Sequence, residues 1–512
     1  MIVNHRLSEL LAGVLAVCVL ALSSRSMAAE PKKDVGKAPA PKETSGNPPP
    51  PEIPVIKLVL SPAKSPVPAL RYELLPNFRE QVPGNAAVSY HRAMMLLSER
   101  RLPDPKKVAE YDLKIEEMIA KPLNEIPIEE LRGYVDSYRQ VFREIDLAVK
   151  RDHCDWDLER RLDSDGIGVL LPEIQKMREL ARMLKMRCHL HIAEGKLNEA
   201  LHDVQVGVTM GRHVGMGPSL IQSLVGMAVV SIFAGELDLI IQQPGAPNLY
   251  WALTYLPRPL IDLRKPLEGE VRALDGTLPM LKDIDKGPMT VEEAQRVFDQ
   301  WTVNLMNLFA DEEAALRLPA LKNKVLTAAY VTLQYPNAKK SLLAAGKTQK
   351  EIDAMPAAQV VLLDGMIHYK DLRDQAFVWL TLPYSEAVEG TTRTEAKIKK
   401  LRANPEGDLT GALMVLMIPA MQKVHFAGAR VDRKIAVLRV IEAIRMHAAL
   451  NNGKLPATLA DIKEVPAPND PISGEAFQYV VKDGVAKLYA PPPKGDQPHQ
   501  GNTIRYEITL RR

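Results

Sequence analysis

Potential metal ligands are densest between Arg151 and Gly168, a stretch that holds His153, Cys154, Asp155, Asp157, Asp163 and Asp165. A helix–loop–helix calcium site needs acids at its first, third and fifth positions, a glycine at the sixth and a glutamate at the twelfth. That pattern wraps oxygens around one hard cation. Counted back from Gly166, the first position is Arg161 and the twelfth is Pro172, so the cage is incomplete. Zinc would need further His or Cys at regular spacing. The stretch reads as a polar loop with helix caps. Four histidines, His189, His191, His202 and His213, form a second candidate set. His189 and His191 lie two apart on an expected helix, so they point about 200° apart and cannot share an ion. His202 and His213 share a face but are separated by three turns, roughly 16 Å. Ordinary hydrogen-bonded histidines are expected.

The cysteines are Cys18, Cys154 and Cys188. In an oxidising compartment Cys154 and Cys188 could form one disulfide. On the chain-entropy model, closing a loop of about 35 residues contributes roughly 3–4 kcal/mol. The preferred alternative is two thiols acting as small apolar residues. No Gly-x-Ser-x-Gly, His-Glu-x-x-His or Gly-x-x-x-x-Gly-Lys-Ser/Thr motif occurs. Acidic residues are plentiful, but a pair without geometry does not define a general acid and base. No catalytic, cofactor-binding or metal-binding residue is therefore assigned, and no cofactor is expected. Whether the chain is an enzyme stays open, with the balance against it. Net charge is only +3 and aromatics make up 5% of the chain, with no basic stripe interleaved with aromatics, so nucleic-acid binding is not expected.

The elements that would position these residues are helical. Pro172 suits a first helical position. Met177, Ala181, Leu184 and Cys188 then follow at spacings of four, three and four, one apolar helical face. Ala193-Glu194-Gly195-Lys196 breaks the pattern, and Leu197, Leu201, Val204 and Val208 begin a second helix. So short a turn predicts antiparallel packing. A Gly-rich joint leads into Ser219 to Ile241, which is apolar on most sides but interrupted by Gln222, Ser223, Ser231, Glu236 and Asp238. It falls short of the roughly 20 apolar residues of a span and reads as a central core helix.

His189 to Arg212 resembles the core of a tetratricopeptide-type hairpin. Gly195 falls at the turn, Ala200 and Gly207 at the small positions, and Leu184 and Val204 at larger apolar ones. Arg187 and His191 stand where the motif carries leucine and an aromatic, no proline ends the unit, and no convincing second copy is found, whereas arrays need about three.

Upstream, His5 and Arg6 precede Leu10 to Leu22, which carries no charge, and Ser26-Met27-Ala28 supplies small residues at peptidase-read positions. Residues 1–28 are expected to be a signal peptide cleaved after Ala28, with an uncleaved membrane anchor as the alternative. Residues 29–69, rich in Pro, Lys and Ala, are expected to be a disordered linker. Residues 70–405 form the expected helical domain. Helices are predicted over Ala86–Arg101, Pro105–Ala120, Pro127–Lys150, Pro259–Leu274, a segment from the Thr290 capping box to about Arg317, and Pro356–Leu382; a second capping box stands at Thr348.

In residues 406–512 a helix over Pro419–Leu450 stops at Asn451-Asn452-Gly453. Phe477–Val481 and Val485–Tyr489 flank Lys482-Asp483-Gly484 as a hairpin, and Thr503–Leu510 alternates as a third strand. The tail resembles the pseudopilin-like module in this long helix, Gly453-Lys454-Leu455-Pro456, Thr458-Leu459, Asp470-Pro471, Gly474 and Tyr479. A pseudopilin carries the helix at its N-terminus, so fibre assembly is not implied. As a whole the chain resembles uncharacterised exported helical proteins of bacteria, a likeness that implies no activity.

The expected fold is mainly α: an irregular helical-hairpin, tetratricopeptide-like body with a small C-terminal α+β module containing a three-stranded antiparallel sheet. The expected function is an exported, non-catalytic binding or scaffold protein, periplasmic or secreted. It would take a protein or peptide partner in the envelope, with no nucleic acid and no membrane span in the mature chain. The alternatives are a secretion-apparatus or pilin-related envelope component and a hydrolase without a recognisable motif.

Overall fold

The computed structural model describes residues 53–99, 110, 113–114, 117–308, 324–403 and 418–511. The expected signal peptide lies outside them. So do the first part of the Pro-rich stretch, most of the helix expected over Pro105–Ala120, the extension towards Arg317 and most of the apolar run Gly411–Ile418.

The stretch 29–69 is not a linker throughout. Ile56–Leu60 is a strand, β1, whose Leu58 and Leu60 are buried. Five residues suffice for an edge strand, and the surrounding prolines dilute that signal in an average over composition. A short strand β2 (Val82–Asn85) leads into α1 (Ala86–Glu99). The single helix expected over Pro127–Lys150 is two: α2 (Ile128–Ser137) and α3 (Arg139–Ala148), parted at Tyr138 (φ −107°, ψ 17°). The two serve different neighbours. Leu131 of α2 packs in a small cluster with Met186 and Leu190, whereas Val141, Phe142, Ile145 and Ala148 of α3 belong to the main core. One straight helix would present one face, and the break re-aims the second half. β3 (Arg151–His153) pairs parallel with β2, and α4 (Leu158–Asp165) follows.

Three long helices form the centre: α5 (Pro172–Ala193), α6 (Leu197–Gly215) and α7 (Leu220–Ile240). Pro172 opens α5, and Gly195, at φ +71°, makes the turn to α6 that a Cβ would disfavour. The expected apolar face of α5 is fully buried. Helices α6 and α7 approach closely because Gly207, Gly211 and Gly215 of α6 and Gly226 of α7 carry no side chain. A Cβ at Gly226 would overlap Gly211 O and Gly215 Cα. Helix α7 is the one described helix long and apolar enough to cross a membrane, and 67% of its most apolar window is buried among its neighbours. The apolar surround is protein, which explains a composition that is apolar on most sides.

The chain continues through α8 (Tyr250–Thr254), α9 (Arg264–Thr277), α10 (Val291–Leu308), α11 (Lys324–Ala344), α12 (Gln349–Asp353), α13 (Ala357–Leu380) and α14 (Tyr384–Ala403). Both capping boxes form. Glu293 accepts the Thr290 N–H at 2.9 Å and Glu351 the Thr348 N–H at 2.7 Å. The final helix, α15 (Ile418–Leu450), ends with Asn452 and Gly453 at positive φ and the Gly453 N–H on Ala448 O.

The sheet that follows contains β4 (Gln478–Lys482), β5 (Val485–Ala490) and β6 (Ile504–Leu510) as an antiparallel set. β1 adds a fourth strand, parallel to β6, giving the order β1-β6-β5-β4. The three expected strands are present, and the sheet is mixed rather than purely antiparallel because its fourth strand comes from the other end of the chain. With 63% helix the class is mainly α.

Polar clamps seat α15. Arg433 and Asp470, each 1% exposed, form a buried ion pair, and Arg433 also donates to Asn502 O at 2.7 Å. Arg445 pairs with Glu442 and donates to Ser61 O and Ala246 O. Lys434 meets Asp238 of α7, which also accepts the Tyr506 hydroxyl at 3.0 Å. Buried charges need such full satisfaction. These bonds join β1, α7, α15 and the sheet, and one hydrophobic cluster runs from Leu58 to Ile508.

Candidate functional site

The corner between α2 and α3 faces α5 and leaves a cleft of about 300 Å³. Its long wall is α3. Arg139, Arg143 and Leu147 recur at spacings of four on one face of α3, and Lys150, two residues past its end, continues the row. All four are exposed. The opposite face of α3 is apolar and packs on α1, which orients this stripe outward. Val135 and Asp136 at the end of α2 close one side.

The floor is Arg187, from α5. Its guanidinium sits 4.9 Å from the centre of the buried Phe142 ring and grips Asp146 with two bonds of 2.9 and 2.8 Å. Its Nε donates to Asp203 of α6 at 2.8 Å. Burial pulls the guanidinium pKa down, but Asp203 and Asp146 outweigh that and hold it above the ordinary value. Asp203, 1% exposed, also meets His191 Nδ1 at 2.7 Å. Bidentate Arg–carboxylate geometry fixes both partners. Each of the three guanidinium nitrogens of Arg187 is held by a carboxylate, so the floor is a pinned network.

Of the four histidines, the structure brings none together around an ion. His189 lies in the core, 2.6 Å from Glu236 Oε2 in an ion-pair contact outside hydrogen-bond geometry, with its Nδ1 unpartnered. Burial pushes Glu236 up, and His189 followed by Lys185 outweighs it, leaving its carboxyl below the usual range. His191 turns towards α6. His202 reaches only 4.0 Å from Asp146. His213 is half-buried, 3.0 Å from the Tyr90 hydroxyl, and desolvation, followed by the Arg212 charge, pulls it down to about 4.

The acidic loop disperses in the same way. Asp163 pairs with Arg272 at 2.5 Å, Asp157 with Arg160, and His153 with Asp152 at 2.7 Å. Among the described residues no three His, Cys, Asp or Glu side chains are placed to hold a metal. Cys154 and Cys188 carry free thiols, and burial pushes both thiol pKa values up, the opposite of what a nucleophile needs.

His191 held by a buried carboxylate has the orienting half of a nucleophile-activating pair. None of the residues lining the cleft carries a hydroxyl or thiol for such a histidine to activate. It offers exposed cations, an exposed leucine and a pinned base, which suit recognition. Sequence reasoning assigned no site here, yet two signals existed. Arg187 and His191 are the two departures from the tetratricopeptide pattern, and both join the Asp203 network. The basic stripe on α3 was legible from its spacing alone. No known protein family, no curated protein and no solved structure matches the chain.

Proposed function

We propose that the chain is an exported, non-catalytic helical binding or scaffold protein of the bacterial envelope, and that it holds a protein or peptide partner. The observation that supports this most directly is the open cleft on α3. Its floor is pinned by the Asp146–Arg187–Asp203 network and its rim carries the exposed cations Arg139, Arg143 and Lys150. The signal-like N-terminus, the tetratricopeptide-like hairpin of α5 and α6 and the pseudopilin-like tail are consistent with an envelope role.

The pilin-related alternative calls for an exposed apolar strip along the 419–450 helix. Among the described residues of α15, Leu450 is the only exposed large hydrophobic side chain, which favours the scaffold reading. Expression of tagged protein in its host, followed by fractionation and N-terminal sequencing, tests the proposal together with reciprocal capture of a partner. The expected result is an envelope protein beginning at Ala29 that retains one partner in both directions. Cytoplasmic retention with an intact N-terminus, or turnover of a small substrate, would overturn it.

A further inference from the structure

The charge pattern of the cleft deepens that proposal, on which it rests. We infer that the α3 face selects an acidic peptide segment carrying two carboxylates about 9–10 Å apart with an apolar residue between them. Arg143 and Lys150 are exposed and have no acidic partner among the described residues. Arg143 lies in α3 and Lys150 two residues past its end, where Val149 keeps a helical backbone (φ −67°, ψ −18°), so a rise of 1.5 Å per residue puts their backbones about 10 Å apart. Leu147, 41% exposed, lies between them. A polyproline-type segment places residues i and i+3 on one side about 9 Å apart, which matches the two cations. Arg139 extends the stripe. Its ion pair with Asp136, 3.1 Å long, is exposed on both sides, and such pairs contribute about 0–1 kcal/mol, so a ligand carboxylate can displace it.

Two observations favour a peptide over a nucleic acid. The one aromatic lining the cleft, Phe142, is 3% exposed and lies against Arg187, leaving no ring for base stacking. Asp136 and Asp146 stand among the cations. A continuous phosphate chain would meet these carboxylates, whereas a peptide with spaced acids can avoid them. The cations lie beside a low-dielectric wall, so binding carries a salt dependence and responds to charge reversal.

The test uses residues 29–512 and fluorescence anisotropy at two salt concentrations. The probes are labelled dodecapeptides centred on Glu-Leu-Ser-Glu, Lys-Leu-Ser-Lys or Glu-Ser-Ser-Glu, and a labelled single-stranded oligonucleotide. The acidic-apolar peptide is expected to bind best and to weaken as salt rises. Arg143→Glu with Lys150→Glu is expected to lower its affinity at least ~10-fold, or about 1.4 kcal/mol, and to reverse the preference towards the lysine peptide. Lys399→Glu with Lys400→Glu, exposed on α14, is expected to change nothing. Circular dichroism confirms that both variants fold.

Equal binding of acidic and basic peptides, tighter binding of the oligonucleotide, or no effect of the cleft reversal would overturn the inference. If no peptide binds while partner capture from the envelope persists unchanged in the cleft variant, the acidic-segment inference fails and the scaffold reading stands. If capture is also absent, both fail.

Discussion

Replacing Gly226 by alanine separates backbone packing from helix propensity, because a second glycine on the same helix provides an internal control. Gly226 and Gly235 both lie within α7. In an exposed or open position, Gly→Ala stabilises a helix by about 1 kcal/mol. At Gly235 a Cβ meets nothing within 4 Å, so Gly235→Ala should gain close to that amount. At Gly226 the same methyl group would overlap Gly211 O and Gly215 Cα, backbone atoms of α6 that cannot rotate away.

Overpacking costs about 1–3 kcal/mol when side chains can yield. Here two helices must separate, so the upper end applies and the net loss is about 2 kcal/mol after the propensity gain. The contrast between the variants is then about 3 kcal/mol. Urea denaturation of residues 29–512, monitored by far-ultraviolet circular dichroism, measures it as opposite displacements of the midpoint from wild type. If Gly226→Ala proved as stable as Gly235→Ala, the close approach of α6 and α7 would be wrong.

Further outcomes follow from other buried groups. Burial raises Asp432 from 3.8 to about 6, against the opposing Leu260 N–H and the Arg258 charge. The folded chain holds that proton more tightly than the unfolded one, so the stabilisation is complete below pH 3.8 and lost as pH rises through 6, about 3 kcal/mol in all. His213 has the opposite sign. Its value near 4 lies below the unfolded 6.5, so stability is full above pH 6.5 and falls by about 3 kcal/mol as pH drops to 4. Asp432→Asn and His213→Gln should therefore tilt the stability–pH profile between pH 4 and 7 in opposite directions, and parallel profiles would refute these environments. Arg433→Met leaves Asp470 buried and unpaired and should cost about 3–5 kcal/mol, while adding Asp470→Asn should recover part of that loss; additive losses in denaturation would argue against a direct pair. Deleting residues 1–61 removes Leu58 and Leu60 from the core and the Ser61 carbonyl from Arg445, so the melting temperature should fall by several degrees; an unchanged value would restore the linker reading for the whole stretch.

Local signals were read with good fidelity. The capping boxes at Thr290 and Thr348, the turn at Gly195, the hairpin at Asp483-Gly484 and the stop at Asn452-Gly453 all depend on residues within a few positions of one another. The apolar face of α5 and the core position of α7 followed from periodicity and interruptions. The break at Tyr138 did not, because the helical spacing continues across it while the neighbours of its two halves differ. β1 was hidden by the prolines on either side of it. The cleft is not legible in the sequence because its floor, Arg187, is defined by partners 16 and 41 residues away on other helices.

Residue order alone settled which faces are apolar and where capping boxes, glycine turns and the hairpin fall, since each is a contest between local hydrogen bonds, side-chain sterics and backbone freedom, whereas the break at Tyr138 and the start of α9 at Arg264 rather than Pro259 needed the tertiary structure. Only the folded chain decided which polar groups meet. Arg187 reaches Asp146 across 41 residues and Asp203 across 16, and β1 joins β6 from the opposite end of the sequence. Periodicity shows that a face will be covered but not what covers it. Partners that distant are selected by close packing of the whole core, which no short stretch encodes.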